Sequence, residues 1–223
     1  MRRWAVMFLL SCIVMGLPGC MSAGSVPEDY YYRLPVVRAD NKVVNGADRI
    51  AGNYAALVLQ GKLAVHPLDM SGIYRERSLL YADSSTPLEI RRYYYRHWIN
   101  DPVYLIQDHM VQYLQTTGVA LHVGRYSEGK RFQYSLTGRL LGFERVVGAG
   151  HPEVVVRLEL EFQSEAGAEP HFAPLIETYE ERIGVEGESM HATVHAYSKA
   201  LVGIYQRFLI SLITSQQGAT AKL

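Results

Sequence analysis

The chain has 223 residues, 48% of them hydrophobic, which suits one medium-sized domain with a substantial core. Its 22 Lys and Arg residues balance its 22 Asp and Glu residues, and this neutral balance argues against nucleic-acid binding, which requires a basic footprint. No run of roughly 18 uncharged apolar residues occurs, which argues against a membrane-spanning helix.

The first twenty residues have the composition of a bacterial signal peptide. Arg2 and Arg3 precede a mostly apolar stretch at residues 4–15, which is too short to span a bilayer. The sequence Leu-Pro-Gly-Cys at 17–20 follows and resembles the lipobox of bacterial lipoproteins. In that family the cysteine receives a diacylglycerol, a peptidase cuts just before it, and the new amine is acylated. Pro18 departs from the usual lipobox pattern, in which small or β-branched residues are more common at this position.

The use of cysteine supports lipidation. Cys12 lies inside the leader, so the mature chain keeps only Cys20, which is free, intermolecular or modified. The alternative is an ordinary secretory signal with a chance cysteine. We expect acyl chains such as palmitate on Cys20, each buried methylene contributing about 0.8 kcal/mol to membrane attachment. Met21 replaces the Asp that, in Gram-negative lipoproteins, favours inner-membrane retention, so we expect an outer-membrane anchor facing the periplasm.

Strand-forming segments dominate the first half of the mature chain. Residues 20–29 are polar and contain Gly and Pro, which predicts a tether between lipid and domain. An aromatic strand is predicted at 30–35, and a loop with an Asn45-Gly46 turn at 39–53. Alternating or β-rich segments predict further strands at 55–67, 79–82 and 88–95.

The hydrophobic period then changes to that of a helix. Asn100 or Asp101 can cap it, Pro102 suits its first position, and Gly118 ends it. Strands are predicted at 119–123, 132–147, 153–163 and 175–185. A final helix is predicted at 190–215, with Ser189 as its cap. It carries an apolar stripe formed by Tyr197, Leu201, Ile204, Tyr205, Phe208 and Leu212.

This order of elements predicts an α+β fold, with a mainly antiparallel sheet and two principal helices packed on one face. The predicted organisation is a signal peptide at 1–19, a lipid-attached tether at 20–29, one domain at 30–215, and a flexible tail at 216–223.

Motifs for catalysis or metal binding are weak. His191 and His195 have the spacing of two ligands on one helical turn, with Glu186 and Glu188 nearby, but two histidines do not make a metal site. Asp101, Asp108 and His109 form no convincing catalytic set. No nucleophile elbow or Gly-rich phosphate loop occurs. We therefore expect a protein that is not an enzyme and carries no cofactor or metal.

Several segments together, in family order, resemble the ABC-type transport auxiliary lipoproteins, the family that contains the lipoprotein of the paraquat-inducible operon. They are residues 31–35 (YYRLP), 63–67 (LAVHP), 73–75 (IYR), 79–81 (LLY), 88–90 (LEI), 94–102 (YYRHWINDP), 134–144 (YSLTGRLLGFE) and 191–201 (HATVHAYSKAL). Arg96-His97 stands where the family often has a single charged residue before the tryptophan.

The resemblance implies an accessory component of a lipid transporter. Such lipoproteins accompany mammalian-cell-entry (MCE) type substrate-binding proteins and ABC transporters that move lipids across the Gram-negative envelope. The expected partners are the outer membrane, an MCE-type periplasmic protein and, since some members form rings, further copies of the chain. The alternatives are a carrier that binds a lipid or other apolar ligand in its own core, and a structural or regulatory envelope lipoprotein.

Two predictions concern aromatic residues. Trp98, just before the first predicted helix, should be largely buried. Two tyrosine triplets should each place one face on the core and leave other rings half exposed, where tyrosine suits interfaces that are both apolar and wet. The candidate partner contacts are Tyr30, Tyr31, Tyr32, Tyr93, Tyr94 and Tyr95.

Overall fold

The computed structural model describes residues 27–35, 59–148 and 150–220, with side chains to residue 215. The predicted signal peptide, the lipobox with Cys20, most of the tether and the loop at 39–53 lie outside the described residues. Within the described ranges the chain forms nine strands and two α-helices, and the predicted α+β class is confirmed.

The strands are β1 (Tyr30–Tyr32), β2 (Leu59–Val65), β3 (Asp69–Met70), β4 (Ser78–Asp83), β5 (Thr86–Trp98), β6 (Ala120–Arg125), β7 (Tyr134–Val147), β8 (Glu153–Ser164) and β9 (Leu175–Gly184). The helices are α1 (Pro102–Thr117) and α2 (Met190–Thr220), and a 3-10 helix spans Gly72–Arg75. Strand β3 and the 3-10 helix are additions to the elements predicted from the sequence. Strand β5 is longer than predicted, and α2 continues to Thr220.

Strand β7 organises one mixed sheet. One of its edges pairs antiparallel with β8, which pairs antiparallel with β9. Its other edge pairs in parallel with β2 near residues 134–136, with β3 at 139–140, and with β4 at 145–147. Two arms therefore leave this edge, β2–β6 at one end and β4–β5–β1 at the other. Nine residues separate the arms along β7, which corresponds to about 30 Å.

Helix α1 begins and ends as its sequence predicts. The Asp101 carboxylate accepts a hydrogen bond from the backbone N–H of Val103 at 2.9 Å, which satisfies one of the free donors of the first turn. Pro102 occupies the first turn, where its missing N–H costs nothing. Gly118 closes the helix at φ 67°, a left-handed conformation that glycine adopts without strain.

The core lies between the helices and the sheet. Alternate residues of β8, from Val154 to Phe162, are buried, while Arg157 on the opposite face is exposed. Helix α2 packs on β8 and β9, and α1 packs on β2 and β6. The six apolar-stripe residues predicted for α2 are all buried, which confirms the orientation of that helix. Ser189 Oγ accepts a hydrogen bond from Ala192 N at 3.1 Å and caps α2, as predicted.

Trp98 is buried, as predicted, with 2% of its surface exposed. Its ring centroid lies 5.4 Å from that of Phe143 and 5.4 Å from that of Tyr197, and the Phe143 and Tyr197 centroids are 4.3 Å apart. These three aromatic rings fill the space where β5, β7 and α2 meet, which fixes the position of the last residue of β5.

Candidate functional site

The tyrosines of β1 lie on an edge strand. Strand β1 pairs in parallel with the end of β5, and Tyr30, Tyr31 and Tyr32 lie opposite Arg96, His97 and Trp98, respectively. Tyr32 is buried beside the core, whereas Tyr31 is 56% exposed on the opposite face. Tyr30 shares the face of Tyr32, yet it is 47% exposed. The predicted alternation holds for Tyr31 and Tyr32 and fails at Tyr30.

The tyrosines of β5 lie in a bulge. Ser78 is opposite His97 while Leu80 is opposite Arg92, so β5 contains three more residues than β4 over this stretch. Such a bulge bends its strand and redirects side chains. Tyr94 is 79% exposed and Tyr95 is 46% exposed. The simple alternation predicted for residues 93–95 does not apply here, because the bulge interrupts the pleat.

Tyr93 is fixed by contacts with two neighbouring strands, β4 and β7. The Tyr93 hydroxyl accepts a hydrogen bond from Arg145 Nη1 at 3.2 Å, and its ring centroid lies 4.6 Å from that of Tyr81. Arg145 is itself buried, so the hydroxyl supplies one of the hydrogen-bond partners that a buried guanidinium needs. Tyr93 therefore has a structural role as well as a place at the surface.

A groove joins the two tyrosine strands. We call it the tyrosine groove; its volume is about 580 Å³ and it is lined by Pro27, Glu28, Tyr30, Tyr93, Tyr94, Tyr95 and Arg96. The Arg96 guanidinium lies over the Tyr30 ring, 4.1 Å from its centroid, an attractive cation–π geometry. Four of the six predicted contact residues are thus brought together. The Tyr31 ring centroid instead lies 5.6 Å from that of His97, with the rings tilted by 34°, and Tyr32 contacts the ring of His191.

Several charged residues beside the tyrosine groove form ion pairs, while Glu28 and Arg96, which line it, carry opposite charges and form none in the described part of the chain. Arg92 lies 3.0 Å from Glu76, Arg91 lies 2.5 Å from Glu89, and His97 lies 3.4 Å from Asp29. These exposed pairs add little stability, but they leave the surface without a strong net charge. A surface of half-exposed tyrosines with balanced charge suits contact with a protein better than contact with a polyanion.

The outer backbone edge of β5 lies next to the tyrosine groove. Strand β1 covers only residues 96–98 of β5, so the outer edge of β5 from Thr86 to Tyr95 has no strand partner in the described part of the chain. Pro87 and the charged Glu89, Arg91 and Arg92 lie along this edge, a pattern that protects edge strands from indiscriminate pairing. The tyrosine groove and this edge form one continuous surface.

The predicted acid–base candidates do not converge. Asp101 caps α1, and Asp108 forms an ion pair with Arg125. His109 is buried beside Ser198, away from any groove described above. His191 and His195 are both exposed, and no group of three His, Cys, Asp or Glu side chains that could hold a metal is found among the described residues.

Arg96 and the bulge were not identified as parts of the site from the sequence. Nothing in the residue pattern of β5 marks where its pairing with β4 slips, because a bulge depends on the partner strand. The only available signal was length, since the strand predicted at 88–95 is twice as long as the one predicted at 79–82.

No α-helix within the described ranges has the length and hydrophobicity needed to cross a membrane. Comparison of the sequence with family models and with curated proteins finds no match. Solved structures do match this chain, and they allow its fold to be compared with known folds.

The fold is similar to that of a Xanthomonas campestris protein assigned to DUF330, with a TM-score of 0.62 and 18% identity over 86% of this chain and 99% of that chain. It is also similar to a second structure titled only as an uncharacterized protein, with a TM-score of 0.55 and 13% identity over 78% of this chain and 91% of that chain. At these identities the likeness concerns the fold alone.

Proposed function

We propose that the protein is a lipid-anchored accessory lipoprotein of an MCE and ABC-type intermembrane lipid transport system, which acts by docking a periplasmic protein of that system. The observation that carries this proposal is the tyrosine groove beside the outer edge of β5, which has no strand partner from Thr86 to Tyr95 among the described residues. The order of the family-like segments supports the transport system, and the lipobox supports an anchor at Cys20 in the outer membrane.

The position of the groove suits an anchored docking protein. Pro27 and Glu28, which line the tyrosine groove, lie seven and eight residues after Cys20. An extended chain spans at most about 3.6 Å per residue, so Pro27 lies within about 25 Å of the lipidated residue. The docking surface would therefore stay close to the outer membrane, where a protein that crosses the periplasm delivers or collects lipid.

The packing of the interior favours docking over the carrier alternative. A carrier would need space between sheet and helices for an apolar ligand. At the junction of β5, β7 and α2 this space is occupied by Trp98, Phe143 and Tyr197, which are buried and in mutual contact. A lipid could enter there only by displacing aromatic rings from a packed core.

Site-specific photo-crosslinking in intact cells tests the proposal. A photoreactive residue replaces Tyr94 or Tyr30 in the full-length lipoprotein, and the control position is Ile176, which is 59% exposed on β9 at the other edge of the sheet. We expect capture of an MCE-type protein, or of a second copy of this chain if a ring forms, from the tyrosine positions and not from Ile176. If Tyr30 and Tyr94 gave only intramolecular products and a lipid co-purified stoichiometrically, the docking function would be rejected in favour of the carrier function.

A further inference from the structure

A second groove lies beside the β2–β6 arm, at the other end of β7 from the tyrosine groove. Its volume is about 700 Å³, and we call it the basic groove. The residues that define it are Lys62, Arg125, Tyr126, Lys130, Arg131 and Phe132. Gly124 also lines it, and a methyl group there would meet the His122 ring at 3.2 Å, so the absence of a side chain helps to keep this wall open.

Three of the four lysine and arginine residues of the basic groove form no ion pair among the residues that the structure describes. In the described part of the chain no acidic side chain lies within ion-pair distance of Lys62, Lys130 or Arg131, and only Arg125 is paired, with Asp108. The β7–β8–β9 part of the sheet differs, because Arg139, Arg157 and Arg182 each contact a glutamate on a neighbouring strand or on their own. Glu165 shares an adjoining groove with Lys130 and Arg131, yet no described carboxylate forms an ion pair with these two cations or with Lys62.

Backbone hydrogen bonds hold these cations around one concavity. Lys62 N donates to the Gln133 side-chain oxygen at 2.7 Å, and Gln133 N donates to Lys62 O at 3.0 Å. A turn is closed by Lys130 N donating to Ser127 O at 3.2 Å, and Tyr126 N donates to Val65 O at 2.9 Å. The loop that carries Lys130 and Arg131 is thus tied to β2 at both ends. Such preorganisation lowers the entropic cost of binding a ligand.

Aromatic rings form an apolar wall next to the cations. The Tyr126 ring stacks on His66, with centroids 4.0 Å apart and an interplanar angle of 19°, and it lies 6.4 Å from the Phe132 ring. Tyr126 is half exposed, so its ring can contact a bound molecule. The groove therefore offers an anion both cations and apolar contact.

We infer that the basic groove binds a phosphate-bearing anion with an apolar portion, either a phospholipid headgroup or a soluble phosphate ester. Lysine ammonium groups act as point charges toward phosphate, and arginine adds paired N–H donors that match its oxygens. The Tyr126 and Phe132 rings beside the cations suit an anion with an apolar portion, whereas an acidic protein segment would be met by a row of cations along a flatter face. The β2–β6 arm beside this site and the β4–β5–β1 arm that carries the tyrosine groove pair with β7 about 30 Å apart, and the inference does not depend on the docking function.

Isothermal titration of the full mature lipoprotein in a neutral maltoside detergent tests this inference. The probes are inorganic phosphate, dihexanoyl phosphatidylglycerol below its micellar concentration, and a hexaglutamate peptide. Lys130→Gln with Arg131→Gln should weaken binding of the phosphate-bearing probes at least tenfold. Arg91→Gln with Arg92→Gln removes the same charge from β5 and should leave binding within twofold, because these arginines lie in the other arm.

The probes separate the possible sources. Tighter binding of the phospholipid than of phosphate, reduced by Phe132→Ala, assigns a lipid headgroup, while equal binding of both assigns a soluble phosphate ester. Hexaglutamate binding more tightly than either, or affinities unchanged by the Lys130→Gln, Arg131→Gln variant, overturns the inference. Crosslinking from Tyr94 in the same variant reports docking separately, so loss of one activity is distinguished from loss of the other or of the fold.

Discussion

The Nε2 atom of His109 on α1 lies 2.9 Å from the hydroxyl oxygen of Ser198 on α2, inside the core. The Ser198 hydroxyl donates its hydrogen to the carbonyl oxygen of Pro35 at 3.1 Å. It therefore accepts from His109, which places the ring proton on Nε2 and leaves Nδ1 without a partner in the described structure. One short hydrogen-bonded chain links both helices to the segment that follows β1.

The first prediction is a pH dependence of stability that arises from His109. Burial lowers the pKa of His109 from 6.5 to about 4, with the Pro35 carbonyl opposing the shift. In the unfolded chain His109 binds a proton below pH 6.5, whereas in the folded chain it does so only below about pH 4. The contribution of neutral His109 to the free energy of unfolding is therefore fully present above pH 6.5 and is lost as the pH drops toward 4. The full loss is about 3 kcal/mol.

Denaturant unfolding at pH 7.5 and 4.5 measures this effect. We expect the wild type to lose about 2–3 kcal/mol more than His109→Gln between these values, because glutamine does not titrate yet can still donate to Ser198. Other titrating groups, including His66, are common to both proteins and cancel in the comparison. Equal losses in the two proteins would contradict a neutral, buried His109.

The second prediction concerns Ser198. Ser198→Ala removes the acceptor of His109 and the donor to Pro35 together, and leaves buried polar groups unsatisfied. We expect the free energy of unfolding to fall by about 1–3 kcal/mol. Thr214→Ala, at an exposed position of the same helix, should change it by less than about 0.5 kcal/mol. Similar stabilities of the two variants would show that the hydrogen-bonded chain contributes nothing.

The elements that could be predicted from the sequence are those with local signals. Helix α1 has its cap at Asp101, its proline at the first position and its terminating glycine at 118, and each acts within one turn. The stripe of α2 and the alternation of β8 are periodic over many residues. The pair of His109 and Ser198 lies 89 residues apart in the chain, and no local pattern indicates that they meet.

The candidate site was less predictable because it depends on register. The tyrosine triplets were visible as aromatic runs, but their burial was not. Tyr32 is buried and Tyr30 is exposed on the same face, which depends on where the core ends. The register shift between β4 and β5 that exposes Tyr94 depends on both strands, so the sequence of β5 alone does not indicate it. The parallel pairing of β1 with β5 likewise joins residues that are 66 apart in sequence.

The third prediction concerns the aromatic cluster. Trp98→Ala should lower the free energy of unfolding by about 3–5 kcal/mol, because it leaves a cavity against Phe143 and Tyr197. Trp98→Phe should cost less, since a ring still fills part of the space. Ile99→Ala removes an exposed neighbour and serves as the control. A loss below about 1 kcal/mol for Trp98→Ala in denaturant melts would be inconsistent with a packed cluster.

The fourth prediction concerns anchoring. In Cys20→Ala the thiol that would receive the diacylglycerol is absent, so we expect a chain that is unprocessed or released from the membrane, without incorporated fatty acid. Cys12→Ala is the matched control, because it removes the other cysteine of the chain from within the leader and should leave labelling unchanged. Growth with radiolabelled palmitate, followed by immunoprecipitation and membrane fractionation, compares the two variants. Label on the Cys20→Ala protein would refute lipidation at this residue. Loss of label from both variants would indicate that the leader no longer directs export, which the size of the precursor would reveal.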